Sequence, residues 1–106
     1  MIFTQDTIDA YAQMVGDTNP VHEGDRAIVH AGLLMGLACA EAAKLRPGWV
    51  CALVEMKFLR PFVADEEILA DVIPGGRMVG GLSVDVHLNG SSRGIAAVAI
   101  LLMEPR

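Results

Sequence analysis

The stretch "HAGLLMGLACAEAAKL", residues 30 to 45, carries no charge before Glu41. It reads as a helix, and through its first half it is apolar on every side. An ordinary surface helix shows one apolar stripe, whereas a helix apolar all round has to be covered all round. This element therefore requires the rest of the chain to wrap it. Gly32, Gly36, Ala38 and Ala40 would let neighbouring backbone approach closely, and "RPGW" ends the helix.

The C-terminal half of the chain is suited to wrapping. Beyond residue 49 the apolar period changes to two, the period of strands. In "VCALVEMKFLRPF", Ala52, Val54, Met56 and Phe58 share one parity, and Glu55 and Lys57 fall on the other. "EEILADVIP" reads as a shorter strand. "LSVDVHLN" sets Leu82, Val84, Val86 and Leu88 against Ser83, Asp85, His87 and Asn89, and Asn89-Gly90 is a hairpin signal. The last strand, "GIAAVAILLM", is apolar on both parities, which predicts a second chain or layer against its outer side. Ahead of the apolar helix, "TQDTIDAYAQMVG" repeats Ile8, Tyr11, Ala12 and Val15 at helical spacing. Thr4 and Asp6 are its candidate N-caps and Gly16 its stop. A short strand, a short helix, a buried helix and a four-strand antiparallel meander predict an α+β fold. A curved antiparallel sheet around a long central helix is the hot-dog architecture.

A length of 106 residues predicts one domain, 1–106. The 53% apolar content speaks against disorder, and with aromatics at only 5% the core is expected to be aliphatic. A net charge of -5 opposes nucleic-acid binding, which needs a basic field. Cys39 and Cys51 sit in apolar segments without metal-ligand spacing, so reduced, packed thiols in a cytoplasmic protein are expected, with no metal. "MIFTQDT" has neither the basic region nor the apolar run of a signal peptide, and the apolar helix is too short to span a bilayer.

The chemistry-bearing stretch is "MVGDTNPVH", residues 14 to 22. Asp17 follows directly on a helix C-terminus, where the macrodipole disfavours a carboxylate. Asn19 precedes Pro20 and so avoids helical backbone, making Asp17 to His22 a turn. Taken singly, Asp17 and Asn19 read as turn residues bonding local backbone, and His22 as a loop histidine.

"GDTNPVH" followed by "IVHAGLLMGL", and later by "MKFLRPF", resembles the MaoC-like dehydratases, the (R)-specific enoyl-CoA hydratases. The similarity runs over nearly the whole chain. It implies a hot-dog homodimer acting on an acyl thioester of coenzyme A or of a carrier protein's phosphopantetheine, with no other cofactor. It implies Asp17 and His22 as the catalytic pair, and Asn19 with Ala31 and Gly32 as substrate-binding residues. There are two departures from the family pattern. Only "EGDRAIV" separates His22 from His30 where the family has a longer segment, and the chain reads "HAG" where the family commonly has "HGM". The thioester carbonyl would then be held by the amide of Ala31 or of Gly32.

The reaction itself asks for such an arrangement. Water must lose a proton as it attacks the β carbon of a 2-enoyl thioester, the α carbon must gain one, and the thioester oxygen carries charge between. A carboxylate and an imidazole sharing one water can act as base and acid, and a proline-stiffened turn lets them converge. Free N–H groups at a helix N-terminus can receive the oxyanion, and Ala31 to Leu33 open the apolar helix. The alternatives are a hot-dog thioesterase, in which water attacks the carbonyl, and a non-catalytic acyl-thioester binder. His30 is expected as a cap or a packed imidazole, His87 as a solvated residue, and Met14, Met35 and Met56 as core filler. Lys57, Arg60, Arg77 and Arg93 are read as solvated charges.

Overall fold

The computed structural model describes residues 1–16 and 28–105. Helix α1 (Gln5–Val15) starts where Thr4 accepts a hydrogen bond from the Thr7 amide at 3.2 Å, so Thr4 is the cap. Asp6 lies in the first turn, where a carboxylate suits the dipole. Gly16 ends the helix at φ 73°, a left-handed conformation that costs glycine little. Ile8 is fully buried, Tyr11 and Ala12 are half-buried, and Val15 is exposed. The stripe thus enters the core at its start and leaves it by its end. Met14, expected as core filler, is 75% exposed. The expected N-terminal strand is a single bridge, Ile2 to Glu67, extended by the Asp65 amide donating to the Phe3 carbonyl at 2.9 Å.

Helix α2 (Ala31–Ala43) buries Leu34, Ala38 and Ala42, one residue per turn, and packs against all four strands. The cover is one-sided: Ala31, Gly32, Gly36 and Ala40 are exposed, and a side chain on Gly36 would meet open space. The uniform apolarity of this helix therefore exceeds what the described chain buries. No helix among the described residues is long and apolar enough to cross a membrane.

The strands are β1 (Val50–Arg60), β2 (Ile68–Met78), β3 (Gly81–Gly90) and β4 (Ile95–Met103), antiparallel in the order β1-β4-β3-β2. A meander describes only β2-β3-β4. The chain crosses from β1 to the far edge, and β1 pairs with the last strand. Three details depart from expectation. The β1–β4 register shifts between Cys51 and Leu53, so Ala52 is an extra residue. Cys51 packs on the core with Val54 and Met56 while Ala52 is exposed, the face change that a bulge imposes. β2 does not stop at "IPGG"; it continues past Pro74 to Met78, which an edge strand permits because proline's missing donor then faces no neighbour. The Asn89-Gly90 hairpin exists, but its loop is Ser91 to Gly94, with the Gly90 amide donating to the Gly94 carbonyl at 2.7 Å.

The inner face of the sheet is aliphatic, as expected: Val84, Val86 and Leu88 of β3 lie beside Ala96, Val98, Ile100 and Leu102 of β4, all at most 3% exposed. With α2 inside a curved sheet, the fold is the α+β hot-dog arrangement. Cys39 of α2 and Cys51 of β1 are free, half-buried and hydrogen-bonded to each other. Burial, helped by that hydrogen bond and by Cys51's charge, pushes the Cys39 thiol up to about 11. Only a thiolate attacks an alkylating agent. Mass mapping after iodoacetamide at pH ~8 should therefore find Cys39 unmodified in the folded protein and modified once it is unfolded.

Candidate active site

The N-terminus of α2 is held in place from both sides. The Val29 amide donates to the Phe62 carbonyl at 2.8 Å, and Ile28 bridges Val63, so the segment leading into the helix is tied to the connection after β1. His30 is the N-cap residue and makes no side-chain capping bond; its ring is 4% exposed. Tyr11 of α1 stands edge-on to it, with centroids 4.9 Å apart at 62°. The expectation of a packed imidazole is met, and the expectation of a side-chain cap is not. The Leu33 and Leu34 amides donate to the His30 carbonyl at 3.1 and 3.4 Å. Among the described residues no backbone carbonyl accepts from the Ala31 and Gly32 amides, two of the four N–H groups that a helix cannot satisfy internally.

These two residues open onto a cavity of about 550 Å³. Its walls are Tyr11 and Val15 of α1, Ile28 to Gly32, and the consecutive residues Phe58, Leu59, Arg60 and Pro61. The β1–β4 register shifts between Phe58 and Arg60. Strict alternation would send neighbouring side chains to opposite faces. The bulge breaks it and lets adjacent residues line one space. Among the described residues the lining is mostly apolar, with the exposed Arg60 as its one guanidinium. Ala31 and Gly32, which the resemblance implies as substrate-binding, both line this cavity. Asp17, Asn19, Pro20 and His22 lie outside the described residues. Val15 and Ile28, on either side of that stretch, both line the cavity.

Tyr11, Phe58 and Arg60 are cavity residues that the sequence alone did not assign. The signal for Phe58 and Arg60 was the "FLRP" piece of the family resemblance; for Tyr11 it was the absence of a side chain at Gly32. A Cβ on Gly32 would fall on the Tyr11 ring. Gly32→Ala should therefore displace the Tyr11 ring and lower stability by about 1 kcal/mol, since the clash is with the end of a side chain and is partly offset by alanine's better helix propensity. Calorimetry should show part of that loss recovered in Gly32→Ala/Tyr11→Ala. Among the described residues no three His, Cys, Asp or Glu side chains are placed to hold a metal.

The sequence matches no family profile and no curated protein. Solved structures do match. The chain aligns with one chain of the ChsH1-ChsH2 complex from Mycobacterium tuberculosis at TM-score 0.84 and 15% identity, covering 99% of this chain and 91% of that one. It aligns with the R-hydratase PhaJ1 from Pseudomonas aeruginosa at TM-score 0.82 and 17% identity, covering 100% and 77%. A thioesterase from Thermus thermophilus, complexed with coenzyme A and Zn, aligns at TM-score 0.63 and 18% identity, over 74% and 67%. Likeness at these identities is likeness of fold, and the fold is the hot-dog.

Proposed function

We propose that this chain is a MaoC-like enoyl-thioester hydratase or dehydratase, adding water to a 2-enoyl thioester of coenzyme A or of a carrier protein, or removing it. The observation that supports this most is the cavity: the Ala31 and Gly32 amides at the head of α2, with no backbone acceptor among the described residues, meet an apolar space whose walls include Val15, the residue before "GDTNPVH". The near full-length likeness to an R-hydratase agrees with it. In this reading the acyl chain lies along Phe58 and Val15, and the thioester oxygen is received by the Ala31 or Gly32 amide. Asp17 and His22 share a water. One takes its proton as the oxygen bonds to the β carbon, and charge gathers on the thioester oxygen. The other returns a proton to the α carbon. An amide donor aimed at the developing oxyanion is worth about 3 kcal/mol in the transition state. Asn19 contacts the substrate or holds the turn.

A crotonyl thioester should lose its enoyl absorbance without releasing thiol. Thiol release from a saturated acyl thioester would instead identify a thioesterase, an activity known on this fold. Binding without turnover would leave an acyl-thioester binder. Arg60 stands at the cavity with a charge suited to the phosphates of coenzyme A or phosphopantetheine. Arg60→Ala should raise KM by about tenfold and leave kcat nearly unchanged, the mark of binding shared by ground and transition states.

The working unit in this proposal is a homodimer. β1 ends the sheet along eleven residues, with Val50, Leu53 and Phe58 exposed. An edge of that length is a template for pairing with another strand. Light scattering is expected to give twice the chain mass, and a monomer at every concentration would refute this part.

A further inference from the structure

The geometry points to Cys39 and Cys51 as a reversible disulfide site, a redox-sensitive staple between α2 and β1 that a low-molecular-weight disulfide closes. The inference is independent of any catalytic role, and it uses the two cysteines that the chain contains. One thiol sits on the helix and the other on the strand, and the two side chains are hydrogen-bonded to each other. The bulge in β1 makes that contact. Val54 pairs with Ile100 and both pack in the core, so unbroken alternation would set Ala52 inward and Cys51 outward. Ala52 is instead the extra residue. Cys51 therefore pairs with the buried Leu102 and comes inward to meet Cys39. The link between the two cysteines holds its own shape. The Leu45 amide donates to the Ala42 carbonyl and the Trp49 amide to the Arg46 carbonyl, each at 3.0 Å, and the Arg46 guanidinium lies 5.7 Å from the Trp49 ring. Both cysteines are half-buried rather than sealed, which leaves a small reagent access.

The exchange has a direction. The attacking species is a thiolate. Burial, the hydrogen bond with Cys51 and the charge of Cys51 hold Cys39 as a thiol, up to about 11, so Cys51 attacks first. It gives its proton to water and its sulfur bonds to one sulfur of the reagent. The reagent's S–S bond breaks, and its other half leaves as a thiolate that takes up a proton. Cys51 now carries neither an S–H nor a charge, which removes two of the three causes that keep Cys39 protonated and leaves burial alone. Cys39 then loses its proton, its sulfur attacks Cys51 Sγ, and the second reagent thiol departs. Two cysteine thiols are oxidised to one disulfide, and one reagent disulfide is reduced to two thiols. An excess of dithiol runs the same steps backwards.

Intact-mass spectrometry of the reduced full chain, incubated with glutathione disulfide at pH ~8, tests it. The parent should lose two hydrogens and retain no glutathione. Its melting temperature should rise by on the order of 10 °C, because the bridge closes a loop of roughly a dozen residues in the unfolded chain. Dithiothreitol should reverse both changes. Cys39→Ser should keep one glutathione on Cys51, since no second thiol displaces it. Folded Cys51→Ser should take up glutathione roughly tenfold more slowly or less, and should match Cys39→Ser once both are unfolded in urea. The inference is overturned if the parent stays reduced, stops at the mixed disulfide or couples to another chain. It is also overturned if the bridged parent melts no higher than the reduced one, or if folded Cys51→Ser reacts as fast as Cys39→Ser.

Discussion

Asp17→Asn and His22→Ala should each slow hydration of a crotonyl thioester by about a hundredfold to ten-thousandfold, the range a positioned acid or base contributes. The size of either loss is less telling than their combination. If the carboxylate and the imidazole hold one water, removing either dismantles the arrangement, and the double variant should be scarcely slower than the worse single one. Groups that act as a unit are strongly non-additive in this way. If the two acted separately, the logarithms of their losses would add. The measurement is a rate series on four proteins, with circular dichroism to establish that each is folded. Turnover unchanged in both single variants removes Asp17 and His22 from the mechanism, and with them the hydratase. Asn19→Ala separates a substrate contact, which would raise KM, from a turn residue, which would lower stability.

Local pattern was legible where one strong local effect decided the outcome. The α2 start at Ala31 follows from the first apolar-periodic residue after His30, and α1 runs from its Thr4 cap to its Gly16 stop. The alternation in β3 maps onto the structure without correction: Leu82, Val84, Val86 and Leu88 are all buried. What local pattern could not carry was pairing between distant segments. Parity in β1 reads as though the strand were regular, and the bulge at Ala52 exchanges Cys51 for Ala52 on the core side. Nothing local says that β1 will lie beside β4 rather than β2. Proline and two glycines at 74 to 76 signal a turn, yet an edge strand tolerates them. The cavity was legible in part, through Ala31 and Gly32. Tyr11 reads as a core residue because helical spacing shows which side of a helix is apolar, not whether that side meets the core or a cavity.

Glu66→Gln, a change of one atom, should lower stability by about 2 kcal/mol and the melting temperature by roughly 10 °C. Glu66 is 6% exposed and joins two loops far apart in sequence. Its Oε1 accepts from the Val63 amide at 2.7 Å, and its Oε2 accepts from the Ser92 and Arg93 amides at 2.8 and 3.2 Å. Gly90 has no side chain because a Cβ there would meet the Glu66 carboxylate. Thus the glycine of Asn89-Gly90 makes room for an acid, and the hairpin loop folds over that acid rather than into a two-residue turn. Glutamine cannot replace it: whichever way its amide is turned, an NH2 group faces a backbone N–H. Burial alone would raise the carboxyl's pKa, but the hydrogen bonds from Val63, Ser92, Arg93 and Gly94 outweigh it and hold the group below its ordinary 4.5. The folded state therefore favours the ionised form. Its contribution is complete above the unfolded value and is lost as the pH falls from about 4.5 through the lower folded value. Urea titrations in that acid window should show the parent losing stability more steeply than Glu66→Gln, whereas near neutral pH the gap between them should be constant. Parallel slopes in acid would mean that the carboxylate is not what ties the two loops together.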